Sequence, residues 1–396
     1  MAPLTLPEAP WRHMAGIGLV LSALGAEQGL TRFVGGAVRD ALAGQPVKDV
    51  DLATSLSPQD VSARLAKAGV KVIPTGIAHG TVTAVVSGGT LEITTLRRDV
   101  STDGRRATVA FTDDWREDAA RRDFTINALY ADPITGTIYD YFGGADDLAA
   151  GVVRFIGEPL QRIAEDHLRI LRFFRFQARY GKGAPDAGSL AACAARANDL
   201  MALSRERIAD ELLKILALAE PGDTLSLMLV HGILAPVLPE IVDVAPLRAL
   251  IAAEFGIDRS PVRRLAALLP ADPTLVEGIA KRLKLSKSAT KRLTWAAQRA
   301  PEDASDPTRL AYQVGTESAV DRLLLNGAGD EARAIAVWPI PQFPMTGGAI
   351  VSHGIKAGPD VARILKAVEA QWVDEGFPDA ARVNVLAAAA VKNARA

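Results

Sequence analysis

Cysteine is nearly absent from this sequence, since Cys193 is the single one in 396 residues. No internal disulfide can form, and no cluster of cysteines is available to bind a metal ion. Long apolar runs are also lacking, because no stretch is long and apolar enough to span a bilayer. The first residues lack the basic, apolar and cleavage regions of a secretory signal. These absences predict a cytoplasmic protein that does not enter a membrane.

The sequence has no excess of charge of either sign. It contains 45 lysines and arginines and 46 aspartates and glutamates, which gives a formal net charge of −1. This balance argues against a bulk polycation that coats nucleic acid, but it leaves room for a local basic face. Hydrophobic residues make up 49% of the chain, so a chain of this length can build two or more domains.

The pattern of apolar residues changes along the chain. Short segments with strand-like alternation dominate up to residue 152, and Ala- and Leu-rich segments with helical periodicity dominate after it. We therefore predict an α+β protein, with a mixed sheet and flanking helices followed by an all-helical remainder. Predicted strands include 47–54, 80–86 and 90–96, and the last two form a hairpin. The polar segment 99–114 has little periodicity and is interpreted as a mobile loop.

Asp49 and Asp51 are two carboxylates separated by one residue on the predicted strand 47–54. Side chains at i and i+2 of a strand point to the same face. Two carboxylates so close repel each other unless a cation lies between them or one stays protonated. Oxygen-only ligands suit Mg²⁺, so the pair is a candidate magnesium site. The alternative is a solvated strand edge, because Asp-x-Asp is a common pattern.

A glycine turn precedes the acidic pair, in the segment FVGGAVRDALAG at 33–44. Gly35 and Gly36 lie where a strand turns into a helix, and glycine lets backbone N–H groups approach a phosphate closely. Arg39 follows within the first turns of that helix and can pair with a triphosphate. The alternative is a tight turn in which Arg39 and Asp40 are simply solvated.

These segments resemble a known family. GGAVRD and KDVDLAT look like the opening signature of the bacterial-type (class II) tRNA nucleotidyltransferases and poly(A) polymerases, of the polymerase-β-like superfamily. RRDFTINAL (121–129), EDHLRILRFFRF (165–176) and SRERIADELLKIL (204–216) resemble three further motifs of that family, in the same order. The resemblance covers 32–240, and the remaining third matches only diffusely, at 346–365.

The resemblance implies a fold, a reaction and a set of site residues. It implies a helical lead-in (1–30), a nucleotidyltransferase head (31–152), a helical neck (153–216) and a helical body and tail that bind tRNA (217–396). A nucleoside triphosphate and an RNA 3′-hydroxyl would give a longer RNA and pyrophosphate, without a template. Asp49 and Asp51 would bind the catalytic Mg²⁺. The residues expected to bind the nucleotide are Gly35, Gly36, Arg39, Arg122, Asp123, Asn127, Asp166, Arg169 and Arg172.

Two of these assignments leave alternatives open. Without the family, segment 121–129 is better explained as a solvated charge cluster that begins a helix, with its apolar residues facing the core. Glu92 alternates with Leu91 and Ile93. It is either a third acidic residue beside the metal or an ordinary exposed glutamate of a strand.

Asp166 and Arg169 are expected to select the base. Residues 160–180 read as one helix, in which positions i and i+3 lie on one face and Arg172 extends that face. In the family, the Asp and the Arg of this motif pair with the edge of the incoming base. Cytosine and adenine each present an NH₂ donor beside a ring-nitrogen acceptor, which suits a carboxylate and a guanidinium. Uracil and guanine present a carbonyl acceptor beside a ring N–H donor, so this pair of side chains would not bind them. The alternative is a surface ion pair of little consequence.

Two enzymatic activities and one non-enzymatic role fit these motifs. CCA addition to tRNA is favoured over poly(A) addition because IPTGIAHGTVTAVV (73–86) resembles the CCA-adding version, and because poly(A) polymerases tend to be basic. A catalytically idle RNA-binding module has no need of both metal ligands. The expected partners are the 3′ end and acceptor arm of tRNA, with CTP and ATP as substrates and no obligatory protein partner. Basic side chains near the selecting pair could track a phosphate backbone; they are Arg162, Arg175, Arg179 and Lys182.

Overall fold

The computed structural model describes residues 4–77, 80–103 and 106–395. The chain divides into two compact units, residues 1–239 and 240–396. The strands in the described part of the chain lie in the first unit, and the regular elements described in the second unit are helices. The predicted α+β class, with a mixed sheet and flanking helices followed by a helical remainder, is confirmed. The finer division into lead-in, head, neck and body stays a prediction.

The strands of the first unit are β1 (Thr31–Val34), β2 (Val50–Thr54), β3 (Lys71–Gly76), β4 (Thr81–Val86), β5 (Gly89–Thr95), β6 (Arg97–Asp103), β7 (Arg106–Phe111), β8 (Leu129–Ala131) and β9 (Ile138–Asp140). In the described residues, seven of them form one sheet in the order β3-β4-β5-β2-β1-β8-β9. β2 and β5 are parallel, and the other neighbours are antiparallel. The predicted hairpin is confirmed as β4 and β5.

The interpretation of 99–114 as a mobile loop is wrong. Most of this segment belongs to β6 and β7, which pair with each other in an antiparallel ribbon from Arg97↔Phe111 to Asp103↔Arg106. The ribbon is separate from the main sheet. Cross-strand pairing satisfies the backbone groups that face the partner strand. This pairing does not require the apolar alternation that reveals a strand of a buried sheet.

The helices of the first unit are α1 (Ile17–Ala23), α2 (Gly36–Leu42), α3 (Pro58–Lys67), α4 (Trp115–Ala120), α5 (Gly144–Ala150), α6 (Pro159–Glu165), α7 (Arg169–Tyr180), α8 (Ala187–Ala195), α9 (Arg205–Leu216) and α10 (Gly222–Val230). The apolar face of α7 is buried, and Phe173 and Phe176 contact Phe124 from the RRDFTINAL segment. This aromatic cluster packs α7 against the segment that precedes β8, so the two sequence motifs that carry the predicted site become neighbours.

The second unit consists of helices in its described part. They are α11 (Ala245–Ala253), α12 (Pro261–Ala267), α13 (Pro273–Arg282), α14 (Lys287–Ala297), α15 (Pro307–Val314), α16 (Thr316–Leu325), α17 (Gly329–Ala336), α18 (Gly347–Ser352), α19 (Pro359–Asp374) and α20 (Ala380–Arg395). Trp372, which is 1% exposed, anchors one hydrophobic core between α19 and α20. In the described part of the chain, no helix has the length and apolar character needed to cross a bilayer.

Candidate active site

The turn between β1 and α2 requires glycine at position 35. Gly35 has φ 63° and ψ −119°, a conformation that side chains disfavour. A Cβ atom there would lie 3.2 Å from a guanidinium nitrogen of Arg122. The Gly35 N–H donates to the carbonyl of Leu129 at 2.9 Å. The missing side chain therefore lets an arginine approach the backbone of the turn.

Arg39 is held inside a hydrogen-bond network rather than exposed to solvent. It is 6% exposed, and Asp40 is 7% exposed. The Arg39 guanidinium donates to Asp40 at 2.9 Å and to the side-chain oxygen of Asn127, and it lies 4.5 Å from the centre of the Tyr180 ring. The alternative in which Arg39 and Asp40 are simply solvated is wrong.

Asp123 links the RRDFTINAL segment to α7. Its carboxylate accepts from Arg172 Nε at 2.7 Å and from the Asn127 amide at 2.9 Å. Burial would raise the pKa of Asp123, but the Arg172 guanidinium and the Asn127 amide outweigh it and lower this pKa to about 2. Asp123 and Asn127 are both buried, so the alternative of a solvated charge cluster is wrong, although Phe124 does face the core.

Asp118 is a buried carboxylate that the sequence reasoning missed. It is 1% exposed. It accepts from Arg121 Nη2 at 2.8 Å, from Arg122 Nη2 at 3.1 Å and from the Tyr130 hydroxyl at 2.6 Å. Burial raises the pKa of Asp118, but the Arg122 and Arg121 guanidinium groups hold it well below its usual range. Its spacing of three and four residues before the two arginines on a helical segment is the signal that could have found it.

Asp51 lies on β2, in the interior of the sheet, and pairs in register with Glu92 of the parallel strand β5. The alternative of a solvated strand edge is therefore wrong for Asp51. Burial and the nearby Glu92 and Asp49 carboxylates together raise the pKa of Asp51 to about 6, against the opposing effect of Arg122 and Arg39. The structure thus places Glu92 beside Asp51.

Asp49 lies differently from the prediction. The strand expected over 47–54 begins only at Val50, so Asp49 precedes β2 and is exposed. Within the described residues, no group of three His, Cys, Asp or Glu side chains converges closely enough to hold a metal ion. Asp49 is nevertheless near enough to affect the pKa of Asp51, so the two carboxylates share one electrostatic environment.

The prediction of one continuous helix over 160–180 is wrong. α6 ends at Glu165, and Asp166 is extended, with φ −152° and ψ 106°. The Asp166 carboxylate accepts from the Leu168 N–H at 3.1 Å, a local bond that competes with the helical pattern. Its other oxygen accepts from Arg207 of α9 at 2.8 Å.

Arg169 begins α7 and is held in place by its surroundings. It donates to the backbone carbonyls of Arg162 at 2.8 Å and Arg121 at 3.1 Å, and it pairs with Glu165. Among the described residues no ion pair joins Asp166 to Arg169, so the alternative of a surface pair between them is also wrong.

These side chains line a cavity of about 490 Å³. This volume is in the range of small-ligand sites. The cavity is lined by Gly35, Gly36, Arg39, Asp51, Arg97, Arg121, Arg122, Asp123, Asn127, Asp166, Arg169, Arg172, Arg175 and Phe176. Among the predicted site residues, Asp49 is the one that does not line it. Arg97, Arg121 and Phe176 were not predicted as site residues. The arginines outnumber the aspartates, so the cavity suits an anionic ligand.

Two family models match the chain. The model described as "Poly A polymerase head domain" matches residues 31–154, and "Probable RNA and SrmB- binding site of polymerase A" matches residues 185–244. The mitochondrial CCA tRNA nucleotidyltransferase 1 of Mus musculus is 33% identical over 94% of this chain and 90% of its own length. The chain belongs to the CCA tRNA nucleotidyltransferase family.

Bacterial members of the CCA tRNA nucleotidyltransferase family are similar over much of the chain as well. The CCA-adding enzyme of Streptococcus sanguinis (strain SK36) is 32% identical over 88% of this chain and 90% of its own length. The crystal structure of the Bacillus stearothermophilus CCA-adding enzyme in complex with CTP superposes with a TM-score of 0.70 at 28% identity. It covers 93% of this chain and 94% of that one. Membership of this family implies use of a divalent metal ion.

Proposed function

We propose that the protein adds C, C and A to the 3′ end of tRNA from CTP and ATP, without a template and with release of pyrophosphate. The observation that carries this proposal is the arginine-rich cavity, in which Asp51, Asp166 and Arg169 line one space. The names of the family's relatives support CCA addition over poly(A) addition. The cytoplasmic location expected from the sequence stays a prediction.

We propose that the divalent ion is Mg²⁺, held by Asp49 and Asp51. The donor set fits the ion, because carboxylate oxygens are the ligands that Mg²⁺ prefers. The raised pKa of Asp51 supports the same assignment, since burial and the neighbouring carboxylates leave a negative charge that a cation would neutralise. Bound there, Mg²⁺ would activate the attacking hydroxyl and stabilise the leaving pyrophosphate.

The arginines of the cavity would bind and orient the triphosphate. Gly35 and Gly36 leave the turn open to a phosphate, and Arg39 and Arg122 are fixed beside it by buried partners. Fixed donors lose little freedom when the substrate binds, so they favour one orientation of the reacting phosphate. Because the oxygens of Asp123 already accept from Arg172 and Asn127, we propose that Asp123 positions these two residues toward the nucleotide.

Asp166 and Arg169 would read the edge of the incoming base. Arg169 is held by two carbonyls and Glu165, so its remaining N–H groups can donate to the ring nitrogen of cytosine or adenine. Asp166 would accept from the exocyclic NH₂. With uracil or guanine, the Asp166 carboxylate would face a carbonyl and the Arg169 guanidinium would face a ring N–H. A desolvated site strongly rejects such pairs of two acceptors or two donors.

We expect Asp166→Ala to relax nucleotide choice. Removal of the carboxylate abolishes the acceptor that distinguishes an NH₂ group from a carbonyl, so incorporation of UMP should rise relative to CMP by at least about tenfold. The measurement is the kcat/KM ratio for CTP against UTP on one tRNA. Glu158→Ala, which removes an exposed carboxylate at the start of α6, is the matched control. An unchanged ratio in Asp166→Ala would remove the base-reading role.

The raised pKa of Asp51 predicts a pH dependence of metal binding. A proton competes with the metal for this carboxylate, so Mg²⁺ affinity should fall as the pH falls through about 6. The pH at which half of the sites hold Mg²⁺ should move to lower values as the Mg²⁺ concentration increases. Calorimetric titration of the wild type and of Asp51→Asn checks this expectation. An affinity that is flat across this pH range in the wild type would contradict it.

The reaction itself is tested with a tRNA that lacks its 3′ CCA and with each labelled nucleotide in turn. Addition of C, C and A in that order, followed by arrest, supports the proposal. Long A tails would support the poly(A) alternative. Absence of any incorporation would contradict both enzymatic functions.

A further inference from the structure

Asp40 connects α2, the helix that follows the glycine turn, to the C-terminal end of α7. Its carboxylate is buried. One oxygen, Oδ1, accepts from the Arg39 Nε–H at 2.9 Å and from the Tyr180 hydroxyl. The other oxygen, Oδ2, accepts from Arg179 at 3.1 Å. The carboxylate that holds Arg39 is therefore itself held by the last two residues of α7.

Tyr180 contacts this network from outside the active-site cavity. Neither Tyr180 nor Asp40 is among the described residues that line that cavity. Tyr180 lines a separate cavity of about 330 Å³, together with Leu42 and Arg179. Tyr180 and Arg169 are the last and first residues of α7, which places them about 16 Å apart along the helix axis. The Tyr180 hydroxyl is therefore remote from the residue expected to read the base.

The Arg39 guanidinium is fixed by hydrogen bonds and by aromatic rings. Nε donates to Asp40, Nη2 lies 2.7 Å from the same carboxylate, and Nη1 donates to the Asn127 side-chain oxygen. The ring centres of Phe176 and Tyr180 lie 5.0 and 4.5 Å from the central carbon of the guanidinium, at distances that suit cation–π contacts. These contacts leave N–H groups on the terminal nitrogens that can donate to a phosphate.

The Tyr180 hydroxyl is a hydrogen-bond donor at neutral pH. Burial and the Asp40 carboxylate raise the pKa of Tyr180 to about 12, against the opposing effect of Arg39 and Arg179. The hydroxyl therefore keeps its proton and donates it to Asp40. A hydrogen bond to a carboxylate is stronger than one between neutral groups. The contact thus fixes the orientation of the Asp40 carboxylate, which the packing of the ring alone would not do.

We propose that Tyr180 is a positioning residue for the triphosphate, because its hydroxyl fixes the Asp40 carboxylate that orients Arg39. The inference rests on the proposed function, in which Arg39 binds the triphosphate. A donor that is fixed before the substrate binds loses little freedom when the phosphate arrives. Because Tyr180 acts on the phosphate end of the substrate, its effect should be the same for every nucleotide. The competing explanation is that the hydrogen bond only joins α7 to α2 and contributes to folding alone.

Tyr180→Phe removes the hydroxyl and keeps the ring. The affinities for CTP, ATP and inorganic tripolyphosphate should each fall by about tenfold, the lower end of what a hydrogen bond to a charged group contributes. The ratio of the CTP and ATP affinities should not change. Calorimetric titration of the full chain, with Mg²⁺ and without tRNA, measures the three affinities. A role in folding alone predicts a lower melting temperature with unchanged affinities, and that result would overturn the proposal.

Tyr312→Phe is the matched control, because it removes the same kind of hydrogen bond. The Tyr312 hydroxyl donates to the Glu369 carboxylate, and burial together with Glu369 raises the pKa of Tyr312 to about 12 as well. Tyr312 belongs to the unit formed by residues 240–396 and is not among the described residues that line the active-site cavity. An equal loss of affinity in the two variants would attribute the effect to lower stability and overturn the proposal.

A double-mutant cycle tests whether Tyr180 acts through Arg39. Arg39→Lys removes the guanidinium that Asp40 orients and should weaken the binding of tripolyphosphate by itself. Tyr180→Phe added to this variant should then lower the affinity by less than about twofold, since the group that it positions is already gone. A second full tenfold loss would show that Tyr180 acts independently of Arg39 and would overturn the proposal.

The positioning role and the proposed function can fail separately. Because binding is measured without tRNA, the result is independent of nucleotide addition. Incorporation of C and A by the wild-type protein, with wild-type affinities in Tyr180→Phe, would overturn the positioning role and leave the proposed function intact. The predicted tenfold loss of affinity, in a protein that does not extend tRNA, would support the positioning role and contradict the proposed function.

Discussion

Asp51→Asn should lower the incorporation of both C and A by on the order of 10³-fold or more. The loss of an outer-shell partner of a metal ligand already lowers metal affinity or activity by about 10- to 100-fold, and Asp51 is proposed as a ligand itself. Because the metal would act on every nucleotide alike, the ratio of CTP to ATP use should not change. Single-turnover incorporation with each triphosphate measures both quantities.

The same substitution should stabilise the metal-free protein at neutral pH. The pKa of Asp51 is raised from 3.8 to about 6 in the folded state, so its stabilising contribution is complete below the ordinary value and is lost as the pH rises through about 6. Asparagine removes the buried negative charge, and the melting temperature of the variant should exceed that of the wild type above this pH. Asp113→Asn, at an exposed site, is the control. Wild-type activity or a lower melting temperature in Asp51→Asn would contradict the assignment.

Asp118→Asn should weaken both the fold and the binding of nucleotide. Asp118 is the buried carboxylate shared by Arg121, Arg122 and the Tyr130 hydroxyl. Removal of one partner of a buried ion pair lowers the free energy of unfolding by about 3 to 5 kcal/mol. The arginines would lose their fixed orientation, so the KM for CTP should rise. Urea unfolding and steady-state kinetics check the two effects.

Asp113→Asn serves again as the control, because it removes the same charge close to α4 from an exposed position. An Asp118→Asn protein with the stability and the KM of the wild type would show that Asp118 does not hold the two arginines for the substrate.

The sequence predicts the sheet and the glycine turn because both leave local signals. The alternation in β4 and β5 reflects one buried face, and the two glycines mark the sharp turn before α2. The same reasoning fails for β6 and β7, since a ribbon that pairs only with itself needs no periodic apolar face. It also fails at Asp166. The apolar pattern continues past this residue, but the helix is interrupted there. The Asp166 side chain stabilises the interruption by accepting a hydrogen bond from the Leu168 N–H.

Long-range partners explain the rest of what the sequence missed in the site. The spacing of Asp118 before Arg121 and Arg122 is visible in the sequence, but its burial beneath Tyr130 depends on the position of β8. Arg207 likewise reaches Asp166 from a different helix. Family resemblance, rather than composition or periodicity, supplied most of the nucleotide-binding residues that line the cavity.

The most direct test of the central claim is the intact mass of a tRNA lacking its 3′ CCA after incubation with the wild-type protein, Mg²⁺ and all four triphosphates. We predict a single product that has gained two cytidylates and one adenylate and gains nothing further with time. The Asp51→Asn protein should leave the tRNA unchanged under the same conditions. A product of variable length that contains only added A, or an unextended tRNA with the wild-type protein, would contradict the proposed function.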